Sequence, residues 1–430
     1  MLLGCTGLAA MLITTGCGNN YRPVVSAINP VGPSTQPTVY ATALSDPGRG
    51  QNGLVTVVDV FGDTIIANAA VAPLPSYLGL DANGQSYVLH TNSPLVDSFT
   101  AAPGLLTSNI RQSSLTAGAC TTSSTVTVGC QVNPTSGASP IFITEPALGR
   151  VAVLTGGAPP TIRQELPVPA NPVYTVGLST SPRVYTLSQG ATPGTSFGSA
   201  TAIENGATNP ISATIPVGIS PVYGVITADS RRAFVVNSRG NGGSTGTVSV
   251  INVQNNLLDT TVGVGVNPVW ADLAPAVNEL AVLNAGNGTT AGSLSVINVA
   301  LCSQLALPDN SACNANNPTD SVNFGKVLAT IPVGVAPVQV AVLADRSKAY
   351  VANSGDGTVT VIDMSTMVAT QTIRVGGRLN WIGAVAGSPT GKVLVTASDT
   401  QTLTIIRTDT DAVTATLALQ GNGISVRIAQ

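Results

Sequence analysis

From about residue 210 onward the chain repeats itself. At a shift of 44 residues SKAYVANS (347–354) lies over GKVLVTAS (391–398), TVTVID (358–363) over TLTIIR (402–407), and VATQTIRVGG (368–377) over AVTATLALQG (412–421), without a gap. Looser copies precede these: RAFVVNS (232–238) leads to TVSVINV (247–253), and ELAVLNAG (279–286) leads to LSVINV (294–299). The connector TIPVGISPV (214–222) returns as TVGVGVNPV (261–269) and TIPVGVAPV (330–338). A period of this size holds about four short strands with their turns. Val359 and Val361 alternate with Thr358 and Thr360, the two-residue period of a strand. Gly355-Asp356-Gly357 falls at a joint that other copies fill with SRGNGGSTG or NGTTAGS, so it reads as a bend rather than a ligand loop.

Thin antiparallel sheets of this kind cannot each bury two apolar faces alone. Stacking them around an axis hides every face except the rims, which makes a β-propeller of four-stranded blades. The marks of the repeat give eight units, or seven should the short unit beginning near Pro140 not stand alone. The ends predict closure: ISVRIA (424–429) has the pattern of an inner strand without partners, and TVYATA (38–43) that of a second strand without its inner neighbour. Composition agrees, because 45 Gly, 29 Pro and only 9% charged residues leave little material for amphipathic helices.

Two places beyond the proline of each connector stand Tyr77, Phe142, Tyr174, Tyr223, Trp270 and Gln339, with Trp381 at the same place by alignment. A ring at one point of successive stacked sheets is expected between neighbours, as a packing wedge. The sharper expectation is a binding rim made of the six aromatics.

KAYVANSGDGTVTVID followed by TIRVGG, with TIPVGVAPVQVAVLADRSKAYVANS upstream, resembles the YVTN-type β-propeller repeat of bacterial and archaeal surface proteins. The resemblance is strong over about 210–430, fainter over 38–210 and absent before Thr38. It implies a propeller outside the cytoplasm, usually of seven blades, and no fixed reaction, because the family's shared residues are structural.

At the N-terminus MLLGCTGLAAMLITTGC resembles a bacterial lipoprotein signal, with 1–16 removed and Cys17 lipidated as the first mature residue. The apolar run is too short to span a membrane as a helix. Residues 17–37, with Pro23, Pro30, Pro33 and Pro37, read as an extended tether, and 38–430 as one propeller domain. Two polar inserts interrupt it, at about 105–138 around Cys120 and Cys130 and at about 300–325 around Cys302 and Cys313. These four cysteines allow three pairings; the local one closes each insert by a disulfide in an oxidising compartment. Long inserts on a rigid scaffold are candidate contact surfaces.

Net charge is −3 and no Lys/Arg run is present, so nucleic acid is not an expected partner. GTSFG (194–198) matches a nucleophile-elbow spacing around Ser196, but it lies in a Thr/Ser/Gly turn. The single histidine, His90, cannot build a multi-histidine metal site. Asp409 and Asp411 lack the rest of a calcium loop, and no motif sets a second carboxylate opposite Glu145. No catalytic residue, metal ligand or cofactor is therefore expected. The reading is a non-catalytic, extracytoplasmic binding or scaffolding module, lipid-anchored at the envelope, with envelope proteins or glycans as partners. Two alternatives are a lactonase-like hydrolase at the channel mouth, which needs clustered carboxylates or a metal, and a self-associating surface-layer or adhesive protein.

Overall fold

The computed structural model describes residues 39–428 except 82–83, 117–131, 135–139, 179–180, 207, 240–244, 275–277, 300–322 and 386–390. The signal, the tether and all six cysteines lie outside the described residues, as do the disulfide and lipidation expectations that rest on them.

The described residues form an eight-bladed β-propeller of antiparallel sheets. From axis to rim, blade 2 is Pro75–Leu80, Gln85–His90, Leu95–Thr100 and Arg111–Ser114; blade 3 is Val132–Pro134, Ile141–Glu145, Arg150–Leu154 and Ile162–Pro167. Blades 4 and 5 share the long strand Ile211–Ile226, whose first half is the rim of blade 4 and whose second half is the inner strand of blade 5. Pro172–Val176, Arg183–Ser188 and Phe197–Glu204 complete blade 4; Arg232–Arg239, Thr245–Asn252 and Leu257–Val266 complete blade 5. Blade 6 is Pro268–Ala274, Glu279–Asn284, Ala291–Asn298 and Val327–Val335. Blade 7 is Pro337–Val342, Lys348–Asn353, Thr358–Asp363 and Val368–Arg374, and blade 8 is Leu379–Val385, Lys392–Ala397, Thr402–Arg407 and Ala412–Ala418.

Blade 1 is made from both ends of the chain. Asn422–Ile428 is its inner strand and pairs with Tyr40–Asp46, with Ala43 opposite Val426; Asn52–Asp59 and Thr64–Pro73 follow outward. Each inner strand touches the next, and Asn422–Ile428 touches those of blades 8 and 2, so the circle is complete. The pairing covers the edge of Tyr40–Asp46 that an unclosed first blade would leave open.

Alternation along one strand feeds two interfaces. Tyr350 and Ala352 point into the core shared with blade 8, whereas Ala349 and Val351 point into the core shared with blade 6. Strand Lys348–Asn353 is accordingly buried on both faces, while the rim strand Val368–Arg374 is largely exposed.

The repeated motif residues hold this geometry. In blades 5, 6 and 7 an asparagine at or near the end of the second strand donates to a hydroxyl on the third: Asn237 to Ser249 at 3.0 Å, Asn284 to Ser295 at 2.9 Å and Asn353 to Thr360 at 2.9 Å. Gly334 of the PVG connector lies against that amide; a Cβ there would stand 2.6 Å from Asn353. Neighbouring blades are clasped near their rims. Lys348 Nζ and Tyr350 Oη of blade 7 bond the two oxygens of Asp411 of blade 8 at 2.6 Å each. Arg183 and Tyr185 of blade 4 reach Val253 O and Asn256 of blade 5 in the same way. Lys392 of blade 8 meets Asp63 of blade 1 at 2.5 Å. Asp63, Asn256 and Asp411 all have φ between +51° and +57°, the left-handed turn conformation that Asn and Asp tolerate best.

The short unit near Pro140 has a physical explanation. Its inner strand, Val132–Pro134, comes from within the stretch expected to be an insert, so Pro140 introduces the second strand instead of the first. The interruption also begins later than residue 105, because Arg111–Ser114 completes blade 2.

Candidate binding channel

The inner strands place their aromatic residues on the propeller axis. Tyr77, Tyr174, Tyr223, Trp270 and Trp381 sit at the same register of blades 2, 4, 5, 6 and 8, each two residues past a bulged start. Their rings touch in series. Tyr174 and Tyr223 have centroids 4.6 Å apart, Tyr223 stacks on Trp270 at 3.8 Å, and Trp270 meets Trp381 edge-on at 5.5 Å. Trp381 meets Tyr77 edge-on at 6.5 Å.

These five of the six expected rim residues therefore come together, but as a layer across the channel rather than around its mouth. Each also closes the axial end of an interblade core, so the wedge expectation describes one of its sides. Phe142 is the exception and corrects the expectation. It lies on the second strand of blade 3, fully buried with Val151, Val153 and Val184 between blades 3 and 4. The misplacement follows from the inner strand hidden in the preceding segment. Gln339 stands in the layer's register in blade 7, and its Oε1 accepts the Ile382 N–H at 3.1 Å.

Blade 1 carries Ser425 at the aromatic register, and Arg427 two residues on fills the gap. Its guanidinium carbon lies 4.1 Å from the Trp381 ring centroid and 5.4 Å from that of Tyr77, at the range of cation–π attraction. Nη2 donates to Tyr77 Oη at 2.8 Å and Nε to Leu78 O at 3.2 Å. Burial pushes the Tyr174 and Tyr223 hydroxyls up, so both stay neutral at physiological pH.

Beyond the aromatic layer, toward the C-terminal ends of the inner strands, the channel opens into a chamber. One side, of about 600 Å³, is lined by Trp270, Trp381 and the Val, Ala, Leu, Ile and Gly residues of blades 6, 7, 8 and 1; the other, of about 330 Å³, by Tyr77, Tyr174 and similar small residues of blades 2, 4 and 5. Asp272, Leu273 and Arg427 border both. Asp272 is the second charge in the lining. Its Oδ2 accepts the Val342 N–H at 2.7 Å and its Oδ1 the Leu273 N–H at 2.9 Å. Burial pushes its carboxyl up to about 6, against the pull of those two N–H groups.

The other residues weighed for chemistry stand elsewhere. Ser196 Oγ donates to Thr192 O at 2.8 Å within a turn, with no histidine beside it. His90 is buried inside blade 2 against Asp97. Glu145 is paired with Arg150, Asp409 with Arg407 and Asp411 with Lys348. Among the described residues no three His, Cys, Asp or Glu side chains gather as metal ligands, and no helix is long and apolar enough to cross a membrane.

No protein-family model matches the chain, and no curated protein matches it. Solved structures do. The dihydro-heme d1 dehydrogenase NirN, solved in complex with DHE, is similar over 93% of this chain and 78% of its own, with a TM-score of 0.64 and 11% identity. Apo AztD from Citrobacter koseri is similar over 91% of this chain and 98% of its own, with a TM-score of 0.57 and 11% identity. Sqt1 from Saccharomyces cerevisiae covers 81% of this chain and 87% of its own, with a TM-score of 0.60 and 11% identity. At such identities the similarity is one of fold: what this chain shares with them is the propeller.

Proposed function

We propose that this protein is a YVTN-type binding module of the bacterial envelope, held outside the cytoplasm by lipid on Cys17, and that it takes its ligand in the central channel. The observation that carries the reading is the channel itself. A chamber of about 600 Å³ is in the size range of small-molecule sites, and its lining is apolar and aromatic with two charges, Asp272 and Arg427. The lactonase-like reading has less support, because it needs several carboxylates or a histidine at the channel mouth. Among the described residues that line the chamber Asp272 is the one acid, and His90 lies inside blade 2.

The chain has only two tryptophans, Trp270 and Trp381, and both are in the aromatic layer, so tryptophan emission reports on the channel alone. Titrating the full-length protein with a library of small envelope-accessible compounds should give ligands that shift this emission. The shift should vanish when Ala341→Phe fills the chamber. Ligands that bind the variant unchanged would contradict the channel reading, and mass spectrometry showing an unmodified Cys17 would contradict the anchor.

A further inference from the structure

The chamber's chemistry also selects a class of ligand, an inference that rests on the binding-channel reading. Some side-chain acceptors of the lining are already engaged. Gln339 Oε1 is taken by the Ile382 N–H, and each oxygen of Asp272 is taken by a backbone N–H. The rings of Tyr223, Trp270 and Trp381 border the larger side of the chamber and offer a face on which flat π-systems stack.

Arg427 adds a sign. Among the described residues no carboxylate pairs with it. Two of its nitrogens are held by Leu78 O and Tyr77 Oη, and Nη1 makes no hydrogen bond to the described protein. The two anchoring bonds and two ring contacts fix the guanidinium plane. A fixed guanidinium with no carboxylate partner on the wall of a chamber is a carboxylate receptor, because its planar donor fork matches a carboxylate and charge-assisted bonds are the stronger ones. We propose that the channel binds a flat, conjugated carboxylate, its ring system against the Tyr223–Trp270–Trp381 face and its carboxylate on Arg427.

Asp272 bears on this as the second charge in the chamber. The charged and titratable groups that share the described lining with it are Arg427 and the phenols of Tyr77, Tyr174 and Tyr223. An ionised Asp272 would repel an anionic ligand, so uptake should strengthen as pH falls through about 6, the value to which burial pushes this carboxyl.

The test uses full-length protein and four probes: 2-naphthoate, neutral 2-naphthalenemethanol, cationic 2-naphthylmethylamine and a chitin oligosaccharide, each followed by calorimetry and tryptophan emission. The expected result is 2-naphthoate binding about tenfold or more tighter than the alcohol. Arg427→Gln should erase that preference while the alcohol still binds. Asp272→Asn should remove the tightening of naphthoate between pH 7.5 and 5.5, a readout that does not depend on the Arg427 variant. Equal binding of acid and alcohol, preference for the amine, or binding of the oligosaccharide alone would overturn the carboxylate assignment and leave the binding channel standing. No probe binding, with unchanged emission, would overturn both.

Discussion

His90 and Asp97 face each other inside blade 2, Nε2 to Oδ2 at 3.2 Å, with both side chains fully buried. The register places them where blade 7 has Asn353 and Thr360, so an ionisable pair replaces a neutral one. Asp97 Oδ2 also accepts the Ala72 N–H at 2.6 Å, and His90 Nδ1 lies 3.1 Å from Pro73 O. His90→Ala should cost about 3–5 kcal/mol, the range for stranding one partner of a buried pair. Combining His90→Asn with Asp97→Thr rebuilds the arrangement of blade 7 and should recover most of that loss. Urea unfolding of the single and double variants decides it; a double variant as unstable as the single one would contradict the equivalence.

Asp97 and Asp272 should pull stability in opposite directions with pH. Burial alone would raise Asp97, but the His90 contact and the Ala72 N–H hold it below its usual value. Its contribution is therefore present above the unfolded carboxylate value of about 4 and lost as pH falls through the lower folded value. Asp272 is pushed up to about 6, so its contribution is present below about 4 and lost as pH rises through about 6. Unfolding curves from pH 4 to 7 should show Asp272→Asn flattening the decline between pH 4 and 6. An unchanged slope would contradict the assignment.

Gly246, at the start of a third strand in blade 5, lies under the connector proline of blade 6, where a Cβ would stand 2.1 Å from Pro268 Cδ. Gly246→Ala should destabilise by about 1–3 kcal/mol through forced displacement. Gly263, on the rim strand of the same blade, serves as the comparison, because a Cβ placed there would meet nothing within 4 Å. Its alanine variant should unfold at nearly the wild-type urea concentration.

The Lys392–Asp63 clasp joins blade 8 to blade 1, with side chains only 6% and 7% exposed. Asp63→Ala leaves the ammonium with Phe61 O at 3.4 Å and should cost about 3–5 kcal/mol. Loss of the same aspartate by Asp63→Asn should cost less, because an amide oxygen still accepts from Nζ. Thermal unfolding of the two variants would contradict the clasp if their order were reversed.

The repeat makes the fold legible because the residues that recur are those that fix blade geometry: Gly334 against Asn353, Asp411 under Tyr350, the connector prolines over glycines. Blade 3 departs from the expected register at Phe142 because its inner strand, Val132–Pro134, is short and lies within the stretch expected to be an insert. The aromatic column is visible in the sequence, yet its position on the axis is not. Spacing along a strand tells which residues share a register, whereas the side they face depends on the bulge that follows each connector proline. Asp272 lies in none of the repeated motifs, and Arg427 lies in ISVRIA, which is informative for closure but not for charge. A signal is present: four places past each inner-strand start stand Gly79, Val176, Val225, Ala341 and Gly383, and a charge in such a column departs from small apolar neighbours.

Closure of the circle by the two chain ends underlies the channel and everything inferred from it. Hydrogen exchange of the full-length protein, read on peptides covering 40–46 and 422–428, measures it directly. Pairing predicts that 422–428 is as protected as the inner strand of blade 8, Leu379–Val385, and that 40–46 matches the second strand Lys392–Ala397. Exchange of both end segments within seconds, while blades 4 to 8 remain protected, would contradict the closed propeller.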